Sequence, residues 1–264
     1  MSDLTVLSYN VWGVSTFTTK RFRRIAQYLH AASTKYDVDV IVLNEVLWGM
    51  QYDFFRKAMA EWIPVNDPFF RKRLPVIRGG GSGVMVLLNP RSGIRVGEVS
   101  HHVFERAVGV DRAAAKGFTH VPLVLRSGVP CNIFATHLQA EYVYSVMGHQ
   151  FQVKSWSKRE RRTIEAQLRQ MTAVGSRLPN SVYVGDMNTD DITLFQRVGL
   201  FSAMCHDGMC GTFFGDGDDK AQHLDHVLTH APQPHRVRMI YNRELQTLSD
   251  HFPIVMRLSF PKPK

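Results

Sequence analysis

Ser181-Val182-Tyr183-Val184-Gly185-Asp186-Met187-Asn188 decides the fold class: an apolar run the length of one buried strand, stopped by Asp and Asn. The same arrangement recurs along the chain. Ser8-Tyr9-Asn10 closes the run 4–9, Leu43-Asn44-Glu45 closes 38–43, and Thr136-His137-Leu138-Gln139-Ala140-Glu141 closes 130–136. His223-Leu224-Asp225-His226 opens the run 223–229, and Ser249-Asp250-His251 precedes 253–260. Each polar group therefore sits where a buried strand leaves or enters a sheet. Asn, Glu, Asp and His delivered together to one edge make a site for a hard metal ion and a general base. That chemistry suits phosphoester hydrolysis.

Between these runs the periodicity changes. Residues 20–33 put Phe22, Ile25, Ala26 and Leu29 at helical spacing, with Lys and Arg opposite. Residues 51–62 predict a second amphipathic helix with Phe54, Phe55, Ala58, Met59 and Trp62 inward. From 82 to 136, strand-like runs at 82–88, 94–104, 117–125 and 130–136 follow one another without a helix, which predicts antiparallel pairing. A long helix is expected at 158–174, a short one near 190–198 with Asp190 as a cap, and a further strand at 236–241. Strands with helices between some and turns between others predict two packed sheets with helices outside. No linker, low-complexity segment or repeat divides residues 1–264, so one domain is expected.

The composition is that of a globular chain: 264 residues, 44% hydrophobic and 21% charged. The net charge of +9 favours an anionic partner, whether nucleic acid, an acidic membrane surface or a phosphorylated substrate. The cysteines, Cys131, Cys205 and Cys210, do not form a disulfide framework. Cys205 and Cys210 could close a small loop in an oxidising compartment, and Cys131 opens an apolar run as a core residue. No apolar run approaches the ~20 residues of a membrane span. The start lacks a signal-peptide pattern. As written, the chain is expected to be cytoplasmic, or secreted if a signal has been removed.

In this order, the motifs resemble the endonuclease/exonuclease/phosphatase superfamily over about residues 4–258. The resemblance implies an α/β fold: a four-layer α/β/β/α sandwich of two mixed sheets flanked by helices, DNase I-like. Thr136-His137-Leu138-Gln139-Ala140-Glu141 resembles the signature of the sphingomyelinase C branch, which includes neutral sphingomyelinases. Asp111-Arg-Ala-Ala-Ala-Lys116-Gly117-Phe118 resembles the Lys-Gly segment of that branch. One departure stands out. Bacterial members carry a long aromatic hairpin before the last Asp-His motif, whereas residues 230–248 hold a single aromatic, Tyr241.

The resemblance implies roles. Glu45 is the main Mg²⁺ ligand, with Asn10 beside it; Mn²⁺ or Co²⁺ would substitute. Asp186 holds or deprotonates the attacking water, and Asn188 donates to a phosphate oxygen. An Asx turn is the plainer reading of that pair. His251 is the general base, oriented by Asp225, and Asp250 contacts the site. His137 stabilises charge on the phosphate. Lys116 adds a cationic contact held by Asp111, or is a solvated lysine. Glu141 holds a peripheral ion or braces the His137 loop. His30, His101, His120, His149, His206, His230 and His235 read as structural.

The rim distinguishes lipid from nucleic acid. Tyr142-Val143-Tyr144-Ser145-Val146-Met147, with Phe151 and Trp156, forms an apolar lip suited to a lipid interface. Phe69-Phe70-Arg71-Lys72-Arg73 would suit headgroups or stacked bases. Trp12, Trp48, Phe118 and Phe213 are candidates to face a quaternary ammonium. The expected partner is sphingomyelin or a related choline phospholipid at a membrane surface, with nucleic acid as the alternative. No protein partner is evident, and a monomer is expected.

Overall fold

The computed structural model describes residues 2–15, 18–66, 81–113, 115–140, 144–146, 149–151, 158–203, 211–214, 221–231 and 237–261. In chain order its elements begin with β1 (Ser2–Asn10), α1 (Thr19–Tyr36), β2 (Val40–Asn44), α2 (Gly49–Ala58), β3 (Ile63–Pro64), β4 (Met85–Leu88), β5 (Arg95–Val96) and β6 (Ser100–Val103). Then come α3 (Val110–Ala113), β7 (Gly117–Val124), β8 (Pro130–His137), β9 (Tyr144–Val146), β10 (His149–Phe151) and α4 (Lys158–Gly175). The last are β11 (Ser181–Asp186), α5 (Ile192–Arg197), β12 (Phe201–Ser202), β13 (Asp225–Thr229), β14 (Val237–Met239) and β15 (Ile254–Phe260).

Two mixed sheets result, ordered β14-β15-β1-β2-β4-β3 and β12-β13-β11-β8-β7-β5, with β6 also on β7. Strands β9 and β10 pair separately. Each large sheet holds one parallel pair, β1 with β2 and β8 with β11, and a helix makes each crossover. The other pairings are antiparallel.

Strand alternation builds three apolar layers. Val6, Val42 and Val86 of one sheet meet Ile133, Val184 and Val227 of the other. On the outer face of the first, Leu7, Tyr9 and Ile41 receive Phe22, Ile25 and Leu29 of α1 and Phe55 of α2. Outside the second, Phe134 and Tyr183 receive Ile164, Leu168 and Met171 of α4 and Phe195 of α5. Fully burying side chains of this size contributes roughly 1.5–3 kcal/mol each. The order is helix, sheet, sheet, helix. Cys131 lies fully buried between the sheets.

Some expected elements differ. The run 94–104 splits into β5 and β6, because Pro122 on the facing strand has no N–H to continue the ladder. There Gly97 N donates instead to Pro122 O, at 2.8 Å. Helix α2 ends at Ala58, yet Met59 and Trp62 remain buried beyond it. The cap of α5 is Asp191 rather than Asp190; its Oδ1 accepts from Thr193 N at 3.0 Å. Among the described residues no helix is long and apolar enough to cross a membrane.

Candidate active site

The strand registers bring the polar ends together. Asn10 is paired with Asn44, Asp186 with His137 on one side and Asp225 on the other. Glu45 follows β2, and His251 lies just before β15 beside β1.

Backbone conformation sharpens the placement. Glu45 turns off its strand at φ +63°, in the left-handed region that costs an L-residue strain. Gly13 lies against it; a Cβ there would sit 1.7 Å from Glu45 O. Gly185, at φ +138°, lets β11 approach β8 just before Asp186, where a Cβ would meet Thr136 O at 2.0 Å. Only glycine fits either contact.

Asp186 Oδ2 is the hub. Asn10 Nδ2 donates to it at 2.9 Å, His137 Nε2 lies 3.6 Å away and His251 Nε2 3.7 Å. The same Asn10 amide donates to Glu45 Oε1 at 3.1 Å. Its oxygen is turned away, accepting from Trp12 N at 2.9 Å. Asn10 therefore presents a donor, not a ligand oxygen, between the two carboxylates. His251 Nδ1 meets Asp225 Oδ2 at 2.7 Å. Thr212 Oγ1 accepts from Leu224 N and Asp225 N, anchoring the start of β13.

Burial governs the charges. It raises the Asp186 carboxyl to about 7; the Asp225 carboxylate adds to this, while His251 and Asn10 oppose it. Burial also raises Asp250 to about 6, with Glu45 adding to it and His251 opposing. Burial alone would lower His251, but Asp225 and Asp186 outweigh it and raise the imidazole to about 10. His137 is held well below the ordinary histidine value, first by burial, then by the nearby Lys116 and His251 charges.

The donor set fits a cation. Asp186, Asp225 and His251 bring ligand atoms within 4.8 Å of one another, and all three are buried. Within that group Asp225 Oδ2 is already engaged by His251. The freer place lies between Asp186 and half-buried Glu45, where the Asn10 NH₂ now bridges two carboxylates. Among the described residues, Asp225 Oδ1 and His137 Nδ1 are buried without a partner.

The remaining expected residues divide. Asn188 lies beyond the strand at φ +50°. Its N–H completes an Asx turn with Asp186 Oδ1 at 2.8 Å, and its side chain donates to Leu138 O at 3.0 Å. The turn and the cluster thus coexist. Lys116 is buried rather than solvated, giving its ammonium to Leu138 O at 2.8 Å and Asp111 Oδ1 at 3.1 Å. Phe118 lies in the core, 1% exposed and stacked on His102, away from any rim. Trp48 is 45% exposed, and the Phe213 ring centre lies 5.0 Å from that of His251. Glu141, Tyr142, Val143, Met147 and Trp156 lie outside the described residues, as do residues 69–73, Cys205, Cys210, His206 and His235; the side chains of Tyr144, His149 and Phe151 do too.

Three positioning residues have no role in the motif reading, although Asn44 stands inside one of the motifs. Asn44 joins the sheets, its Nδ2 donating to Thr136 O at 2.7 Å and its Oδ1 accepting from Asp186 N at 3.3 Å. Gln51 holds the loop after Glu45 by accepting from Leu47 N at 2.8 Å and donating to Gly13 O at 2.9 Å. Gln167 accepts from Gln139 N at 2.9 Å, fixing the segment after His137. For Gln51 and Gln167, a Gln between apolar neighbours was the available clue.

The sequence matches no protein-family model and no curated protein. Solved structures do resemble the fold. Sphingomyelinase C from Streptomyces griseocarneus is 18% identical, with a TM-score of 0.72, over 98% of this chain and 100% of that one. A beta toxin variant from Staphylococcus aureus with bound magnesium ions is 18% identical, with a TM-score of 0.74, over 97% and 99%. D. rerio TDP2 complexed with a single-strand DNA product is 16% identical, with a TM-score of 0.70, over 98% and 100%. These likenesses show the fold, which is DNase I-like.

Proposed function

We propose that this chain is a Mg²⁺-dependent phosphodiesterase that hydrolyses sphingomyelin, or a related choline phospholipid, to ceramide and phosphocholine. The observation that carries the reading is the Asp186 hub, with Asn10, His137 and His251 around one buried carboxylate oxygen. Glu45 and Asp186 would hold the ion. When bound, it would polarise the phosphodiester and stabilise negative charge on its oxygens.

The chain's own groups supply the rest. His251 accepts the proton of an attacking water that Asp186 helps to hold in place. Asp225 fixes the ring so that Nε2 faces that water. Positive charge near Asp186 would pull His251 down from about 10 and free it to accept a proton. His137 and Asn188 stabilise the phosphate oxygens, and no covalent intermediate is required. Lys116, held by Asp111, adds positive potential behind His137.

Support for the lipid comes from the Gln139-Ala140-Glu141 extension and from the sphingomyelinase and beta toxin likenesses. A DNA phosphodiesterase is the second reading, favoured by the charge of +9 and by the TDP2 complex with single-strand DNA. The deciding experiment sets phosphocholine release from sphingomyelin liposomes beside plasmid nicking, each with Mg²⁺ and with EDTA. Release that EDTA abolishes, with intact plasmid, is expected. Nicking without release would replace the lipid reading with the nuclease one.

A further inference from the structure

Outside the catalytic cluster, a cavity of roughly 700 Å³ opens between the segment after β6, helix α3 and the start of α4. Phe104 and Ala115 give it an apolar, buried floor. Its rim is cationic: Arg106, Arg112, Arg159 and Arg162 line it, and all are exposed. The acids present are Glu105 and Asp111. Asp111 is committed, its Oδ1 to Lys116 and its Oδ2 to Ala140 N. Among the described residues, the four guanidinium groups have no ion-pair partner.

The placement of Arg159 and Arg162 runs against helix electrostatics. They lie in the first two turns of α4, an 18-residue helix, at the end whose partial positive charge favours acids. Arg161 meets this with an ion pair to Asp191. Among the described residues, Arg159 and Arg162 have no such partner. Glu160 is the acid of that first turn and has an interaction of its own. The arginines therefore still gather positive charge at a positive helix end, and an anion bound among them relieves the repulsion.

We propose that this cavity binds a phosphate group other than the scissile one. Guanidinium forks match phosphate oxygens in geometry and charge. A bowl of this volume takes a terminal group, whereas a nucleic-acid strand needs a groove that continues. The pocket shares a wall with the catalytic cluster. Lys116 lines it, and Lys116 Nζ donates to Leu138 O, which also accepts from Asn188 Nδ2. The phosphate could belong to a phospholipid headgroup or to a soluble molecule.

The test is calorimetric titration of the full chain with inorganic phosphate in EDTA, for the wild type and for Arg159→Glu/Arg162→Glu. Saturable binding, weakened at least tenfold by the double substitution with no fall in melting midpoint, is expected. Equal binding by both proteins would overturn the pocket. Sedimentation with phosphatidylcholine vesicles, with and without phosphatidic acid, separates the sources. Loss of acid-dependent sedimentation in the variant identifies a lipid headgroup. Unchanged sedimentation beside lost phosphate binding identifies a soluble phosphate. If single-stranded DNA displaces phosphate from the wild type, the site is a strand groove and the proposal fails.

Discussion

His251 Nδ1 lies 2.7 Å from Asp225 Oδ2, and this contact determines which ring nitrogen faces Asp186. Asp225→Asn keeps the side chain's size but offers its oxygen or its NH₂, so the ring can settle in the wrong tautomer. Turnover of the favoured substrate should fall by about 10² or more, with KM little changed. His251→Ala should lose at least as much. Steady-state kinetics on both variants check this; near-normal turnover in His251→Ala would remove that residue from the mechanism.

Asp186 should cost the metal-free protein stability. Its carboxyl rises from 3.8 to about 7 on folding, chiefly by burial. Between those values the folded state binds more protons than the unfolded state, so stability falls as pH rises through that window. Asp186→Asn escapes this fall. In EDTA the stability of the variant relative to wild type should rise as the pH goes from 4 to 7, while hydrolysis is lost. Urea melts from pH 4 to 8 decide it, and a stability difference between the two proteins that does not change with pH contradicts the assignment.

Asn44 is fully buried and joins the two sheets through both ends of its amide. Asn44→Ala leaves Thr136 O and Asp186 N without the amide that now meets them. The cost should be roughly 1–3 kcal/mol per unsatisfied buried group. Thermal melts give the stability. Because the staple sets the height of Asp186, the Mg²⁺ concentration for half-maximal activity should rise as well. Unchanged values for both would leave Asn44 without the role given to it.

Cys131 should be inert in the native state. Burial raises its thiol to about 12, and the side chain has no exposed surface. Iodoacetamide at pH 8 should leave it unmodified until urea is added, as peptide mass spectrometry would record. Modification in the native protein at the rate of a free thiol would mean that the two sheets part readily.

The strand ends were legible because an apolar run that stops at Asp, Asn, Glu or His has few structural explanations. Asn10, Glu45, His137, Asp186, Asp225 and His251 each closed or flanked such a run, and the sheet registers bring them to one edge. Asn44, Gln51 and Gln167 were not legible as positioning groups. Their partners lie far along the chain, and a hydrogen bond to distant backbone leaves no periodicity in sequence. Phe118 misled for a related reason. An aromatic proposed to face a quaternary ammonium needs an exposed ring, and strand alternation instead turns Phe118 into the layer under α4.

The pairing of β1 with β15, from Ser2 opposite Phe260 to Ser8 opposite Ile254, joins residues near opposite ends of the sequence. Such contacts close large loops, and they slow folding because chain entropy is lost before the contact compensates. A chain emerging from its N-terminus can form β1 and β2 early, but the outer edge of β1 stays open until β15 arrives. During that interval the edge is a template for pairing with another copy. His251 precedes β15, so the proposed site would be complete only once β15 docks, and aggregation and site assembly would compete for the same edge.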